Sequence, residues 1–288
     1  MSTVVFGALC ASISMSAGRN LLSKSISDFK FGTRGFFSVQ AMIFFCGFVI
    51  LIVPALVNND GVSALTAVYA LIYALLLITA QWSYTAALGS GNTAICVTIY
   101  SLGFIFPTLS GSLFWNETFT VKNMFGLIAV IMAVLVSGYQ KDGGRIKAKY
   151  FFPLISAMAA SGGLGIMQKV QQSSPVSNQK AAFVMIAFLI AGIISLSAAL
   201  VSTENNEYTL TAKKRISASG AGICFGCCNL LNTFLAGNLN SSFFFPVQNI
   251  GTILMSLVIS AIVFREKPGK KEYIVLILGI CAIFLLNN

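Results

Sequence analysis

The chain has 288 residues, of which 57% are apolar and only 9% charged. Soluble domains are about a quarter charged, so a surface built for water is excluded. A net charge of +10 would suit a nucleic-acid binder, but the basic residues sit in short connections between apolar runs, which is how charge orients a chain in a membrane. Nucleic acid is therefore not expected as a partner, and the lipid bilayer is.

A helix needs about 20 mostly apolar residues to cross the hydrocarbon core. Runs of that kind fall at 3–22, 35–57, 63–87, 92–114, 120–139, 150–168, 180–201, 215–237, 242–264 and 271–287. None alternates in polarity as the strands of a membrane barrel do. The expected fold class is all-α integral membrane, with ten transmembrane helices, or nine if one span is re-entrant. The first run begins almost at the first residue with no basic stretch before it, and reads as a span rather than a removable signal.

Taken in chain order, the spans carry few polar groups. Arg19 and Asn20 lie about one turn from the end of the first. Arg19 either snorkels to the headgroups or faces a cavity and holds a carboxylate or phosphate. The third span holds Gln81, Trp82 and Tyr84, and the fourth holds Tyr100 and Pro107. Gln168 ends the sixth, whose Gly162, Gly163 and Gly165 suit close helix approach. The eighth has Gly220, Gly222 and Gly226, the sequence Cys224-x-x-Cys227-Cys228, and Asn229 and Asn232 three apart on one face. The ninth has Pro246, Gln248 and Asn249. Proline frees a backbone carbonyl, and freed carbonyls are tolerated mainly where they line a cavity.

All eight acids (Asp28, Asp60, Glu117, Asp142, Glu204, Glu207, Glu266 and Glu272) lie in loops or at span ends, and the chain has no histidine. A membrane-buried proton relay has no carrier in this pattern. An enzyme would need positioned acids, histidine or a metal site, so none is expected, nor any cofactor or metal. The seven cysteines all fall within spans and read as small apolar packing residues. Glu117 and Glu266 read as turn and helix-start residues, favoured there by the helix dipole.

Fifteen of the eighteen basic residues fall at the end of span 1 or in the loops after spans 1, 5, 7 and 9; only Lys122, Lys169 and Lys180 belong to the other side. By the positive-inside rule this places both termini outside. The two halves also resemble each other. A shift of 149 residues lays Glu117 on Glu266, Lys122 on Lys271 and Tyr100 on Asn249; a shift of 145 lays Ser16-Ala17-Gly18 on Ser161-Gly162-Gly163 and Lys24 on Lys169. Five spans per half make the second half insert upside down, so 1–142 and 143–288 are expected to be two inverted five-helix repeats, joined by the polar stretch 140–149.

The residues Phe114-Trp-Asn-Glu117-Thr-Phe-Thr with Gly126 and Gly138, and Phe264-Arg-Glu266-Lys-Pro with Gly279, each place a Glu in a short turn before a glycine-containing helix. With the span count and the repeat, they resemble the EamA-type ten-helix branch of the drug/metabolite transporter superfamily. The resemblance implies cytoplasmic termini, opposite to the charge reading. It also implies a central cavity lined by the third, fourth, eighth and ninth helices, where Gln81, Trp82, Tyr84, Tyr100, Asn229, Asn232, Gln248 and Asn249 would converge, with Gln168 also within a span. The alternative reading is that these amides are spent on bonds between helices.

The expected function is a secondary transporter in a bacterial cytoplasmic membrane, moving a small polar metabolite, amino-acid-like or otherwise anionic or zwitterionic, by alternating access. The alternatives are a flippase for a lipid-linked substrate and a non-transporting membrane subunit.

Overall fold

A computed structural model describes residues 2–27, 32–58, 61–88, 93–139, 150–202, 211–263 and 269–286. The stretch 140–149, the second Glu motif at 264–268 and every acid except Glu117 and Glu272 lie outside the described residues. Among those described, the regular structure is entirely helical. Helices α1 (Thr3–Ser27), α2 (Thr33–Val57), α3 (Ala64–Leu88), α4 (Thr93–Ser101), α5 (Ile105–Phe114), α6 (Val121–Gly138), α7 (Phe151–Gln172), α8 (Lys180–Val201), α9 (Ala212–Asn238), α10 (Ser241–Val263) and α11 (Lys270–Leu286) follow one another along the chain. Among the described residues, nine stretches are long and apolar enough to cross a membrane. Helix α11, at 17 residues, extends about 25 Å and supplies the tenth expected span.

Apolar residues remain on the outside of these helices. Val68, Leu71, Ile72 and Leu75 recur at the spacing of one helical face on α3, and all four are exposed. In water, a stripe of that kind is an association surface; in a bilayer it is what lipid covers. The chain is a multi-pass membrane protein.

The fourth expected span is broken. A 3-10 turn, Leu102–Phe104, separates α4 from α5, and the amide of Ile105 reaches Leu102 rather than the carbonyl of Ser101 that an α-helix would give it. Pro107 two residues on has no N–H to continue the ladder. The break ends α4 without ending the span.

Two compact units divide the molecule, and neither follows chain order. The first comprises Met1–Leu75 with Gln171–Phe234; the second comprises Leu76–Val170 with Leu235–Asn288. In the first unit α2 packs along α8. Glycine makes the approach close: a Cβ on Gly47 would lie 2.5 Å from the Phe188 ring, and one on Gly226 would lie 2.8 Å from the Gly47 carbonyl oxygen. The start of α3 is held by Gln179, whose side-chain oxygen accepts the Ser63 amide at 3.1 Å and the Thr66 hydroxyl.

In the second unit α6 packs along α11, and α5 along α10. Helix α7 meets the broken span through backbone: a Cβ on Gly162 would lie 2.7 Å from the Gly103 carbonyl oxygen, and one on Gly165 would lie 2.7 Å from Pro107. These glycines therefore serve close approach. Thr120 caps α6 by accepting the Asn123 amide at 3.3 Å, while the Asn123 side chain donates to Ser242 Oγ at 2.9 Å and ties that cap to α10.

Candidate functional site

The polar residues expected from sequence fall into two groups, one in each unit. In the first unit, Ser12, Ser16 and Arg19 share one face of α1 by their spacing, and Phe225, Cys228 and Asn232 share one face of α9. The two faces meet. Ser12 Oγ donates to Asn232 Oδ1 at 2.5 Å, Ser16 Oγ lies 2.9 Å from Cys228 Sγ, and the Asn232 amide donates to the same sulfur at 3.4 Å.

Arg19 stands at the head of this seam. Its guanidinium carbon lies 3.5 Å from the centre of the Phe225 ring. Phe225 is the middle residue of the 27-residue α9. Helix α1 runs to Ser27, but its membrane-spanning stretch is Thr3–Ser23, so Arg19 lies four residues, about one turn, from the end of the span, where the sequence reading placed it. Helical side chains lean toward their N-terminus, which carries the guanidinium deeper still. Asn20, its neighbour, is exposed.

Asn229 is buried and engaged. Its Oδ1 accepts the Tyr73 hydroxyl at 2.6 Å, and its Nδ2 donates to the Phe225 carbonyl at 2.7 Å. Tyr73 is fully buried, its ring centre 5.0 Å from that of Phe183. Tyr73→Phe leaves a buried acceptor without this donor. The expected loss is about 1–3 kcal/mol, measured by thermal unfolding in detergent, and an unchanged melting temperature would show the bond to be dispensable.

In the second unit, Tyr84 and Tyr100 face each other with ring centres 4.8 Å apart. Asn249 reaches the helix break: its Nδ2 donates at 3.3 Å to the carbonyl of Ser101, the residue at which the 3-10 turn begins. Its own Oδ1 is buried with no hydrogen-bond partner. Gln168 is buried, Gln81 and Gln248 are half-buried, and Trp82 is 52% exposed.

The second unit also contains a pair that sequence reasoning did not anticipate. Glu117 and Lys169 form an ion pair with both side chains only 10% exposed. The other carboxylate oxygen accepts the Ser241 amide at 2.6 Å, and Lys169 Nζ donates to the Ala236 carbonyl at 3.0 Å. Glu117 does occupy a helix start, as expected, but the helix is α10 and not its own α6. Asn116, at φ 50°, turns the chain sharply in a conformation that Asn tolerates, and the Glu117 amide returns to the Gly111 carbonyl at 3.1 Å. The signal available in sequence was topological. The expected spans put Glu117 and Lys169 toward the same side of the membrane, where basic residues are scarce.

Multiple long apolar helices with polar groups held between them define a helical multi-pass membrane protein. Residues 148–288 match the EamA-like transporter family, the branch of the drug/metabolite transporter superfamily that the sequence resembles. A solved structure titled "Crystal structure of protein" superposes with a TM-score of 0.81 at 13% identity, covering 100% of this chain and 97% of that chain. At that identity the likeness is one of fold alone. No curated protein matches the chain.

Proposed function

We propose that this protein is a secondary transporter of the cell membrane, of bacterial type, that carries a small anionic or zwitterionic solute by alternating access. The family match supports transport. The pairing of helices supports the inverted repeat: α2 with α8, α5 with α10 and α6 with α11 are the second, fourth and fifth spans of one half beside their counterparts in the other. Gly47 and Gly192, which the 145-residue shift equates, reciprocate. The Cβ position of the first is 2.5 Å from Phe188 on α8, and that of the second 3.0 Å from Phe45 on α2. Inverted halves of this kind rock about a midplane site.

The observation that carries the choice of solute is the position of Arg19. Held against the Phe225 ring, Arg19 brings a permanent cation into the helix bundle, and a guanidinium there suits a carboxylate or phosphate on a bound solute. In the same unit, Asn20, Asn229 and Asn232 are the proposed neutral contacts.

The test is uptake into proteoliposomes from a panel of radiolabelled amino acids, sugars and phosphorylated metabolites. Saturable, competable uptake is expected for a carboxylate- or phosphate-bearing solute. Arg19→Ala should reduce its uptake by tenfold or more, from loss of about 1.5–3 kcal/mol of charge-assisted hydrogen bonding, with expression and melting temperature retained. Undiminished uptake by that variant would remove the site. Movement of lipid reporters alone would make the protein a flippase instead.

A further inference from the structure

We infer that the Glu117–Lys169 pair is a latch that holds one end of the second unit shut in the conformation described, and that it is broken and remade in each transport cycle. This rests on the transporter reading and adds the contact that its conformational step must undo.

Four stretches of chain converge on the pair. Glu117 lies in the turn between α5 and α6, Lys169 in the last turn of α7, Ala236 in the last turn of α9, and Ser241 opens α10. The carboxylate takes Lys169 on one oxygen and the Ser241 amide on the other, and Lys169 Nζ goes on to the Ala236 carbonyl. The approach leaves no slack. A Cβ on Gly111 of α5 would lie 2.6 Å from Ser241 Cβ and would strike the Glu117 carboxylate.

The pair also stands beside two joints in the chain. Within α7 the chain leaves the second unit after Val170, and within α9 it re-enters that unit at Leu235. Lys169 and Ala236 are the immediate neighbours of those residues, and the 3.0 Å bond between them ties one joint to the other.

Stability alone does not account for charge here. Apolar side chains of similar volume often hold a buried position as well as an ion pair does, or better, and switching and registry are the best-attested uses of such pairs. Apolar surfaces packed at crystal density separate only by repacking. This latch is a few polar contacts at one point, so it parts as a unit and re-forms in one geometry.

The experiment uses the full chain in proteoliposomes, with Ser241→Cys as reporter. Ser241 Oγ has no hydrogen-bond partner, so sulfur in its place removes no bond. At 1% exposure the position meets a water-soluble maleimide only when this end opens. Parallel samples that keep Ser241 give the labelling of the native cysteines. Glu117→Gln with Lys169→Met retains an acceptor for the 241 amide but cuts the links to α7 and α9. That pair of changes is expected to speed labelling about tenfold at matching melting temperature, a shift of about 1.4 kcal/mol in the opening equilibrium. Without Ser241→Cys, it should lower the maximal rate of solute uptake about fivefold, because the latched state is no longer regained in each cycle. A merely structural pair would move neither rate.

Unchanged labelling in the doubly substituted protein would overturn the inference, and so would an undiminished maximal uptake. If that protein does not fold, Glu117→Asp decides. It keeps both charges but draws the carboxylate back by one methylene, and is expected to speed labelling about threefold; an unchanged rate overturns the latch. Wild-type protein without saturable uptake of any solute would bring down the transporter reading, and the latch's part in transport with it. Saturable uptake indifferent to these substitutions would bring down only the latch.

Discussion

Lys169→Met is expected to lower the stability of the protein by about 3–5 kcal/mol, read as a fall in melting temperature of the purified protein in detergent. The substitution nearly preserves volume, so packing changes little. What it removes is the partner of a carboxylate whose side chain is 10% exposed, and a buried charge without its counter-ion is far costlier than the pair is worth. Glu117→Gln should cost nearly as much, because it retains an acceptor for the Ser241 amide but strands the ammonium. Combining Glu117→Gln with Lys169→Met removes both charges and should recover most of the loss.

Exchanging the charges should not restore stability. Lysine at 117 would face the Ser241 amide, a donor against a donor, and glutamate at 169 would face the Ala236 carbonyl, an acceptor against an acceptor. Full recovery in the exchanged protein would mean that Coulomb attraction alone matters, and that the two backbone contacts are incidental.

Gly222→Leu should be about as damaging, by about 3 kcal/mol or more. Even the first carbon of a side chain at 222 would collide with the carbonyl oxygen of Ile43, and it would lie 2.9 Å from Cys46 Cβ. The obstacle is backbone, so no rotamer of a neighbour relieves it; α9 must move away from α2. That movement also separates Gly226 from Gly47. Gly7, whose Cβ position has nothing within 4 Å, is the control, and Gly7→Leu should melt like the wild type. A Gly222→Leu protein of wild-type melting temperature would show that helix contact here is not set by the absence of a side chain.

The spans were legible because hydrocarbon imposes a length and a composition on every helix that crosses it, and the expected runs match α1 to α11 to within about five residues. The break after Ser101 was half legible. Pro107 announced a freed carbonyl, but Asn249, which serves the break, lies far along the chain. Asn229 was correctly singled out as polar and interior, yet what it meets is Tyr73, and only the fold joins them. The place of Arg19, about one turn from the end of its span, was legible; the Phe225 ring it meets on α9 was not, because only the fold joins them. The pairing of Glu117 with Lys169 needed the Glu117 turn to be placed beside the last turn of α7, which single-chain patterns do not contain.

The interleaving of the two units has a consequence for biosynthesis. Helix α2 finds its partner α8 only after more than 120 further residues have been made, and the second unit lacks α10 and α11 until the ribosome reaches the end. At about 5–20 residues per second, the early helices spend several seconds in the bilayer with their glycine grooves unfilled. During that interval they are exposed to the insertion machinery, to chaperones and to membrane proteases, so quality control has its widest window before the eighth helix arrives.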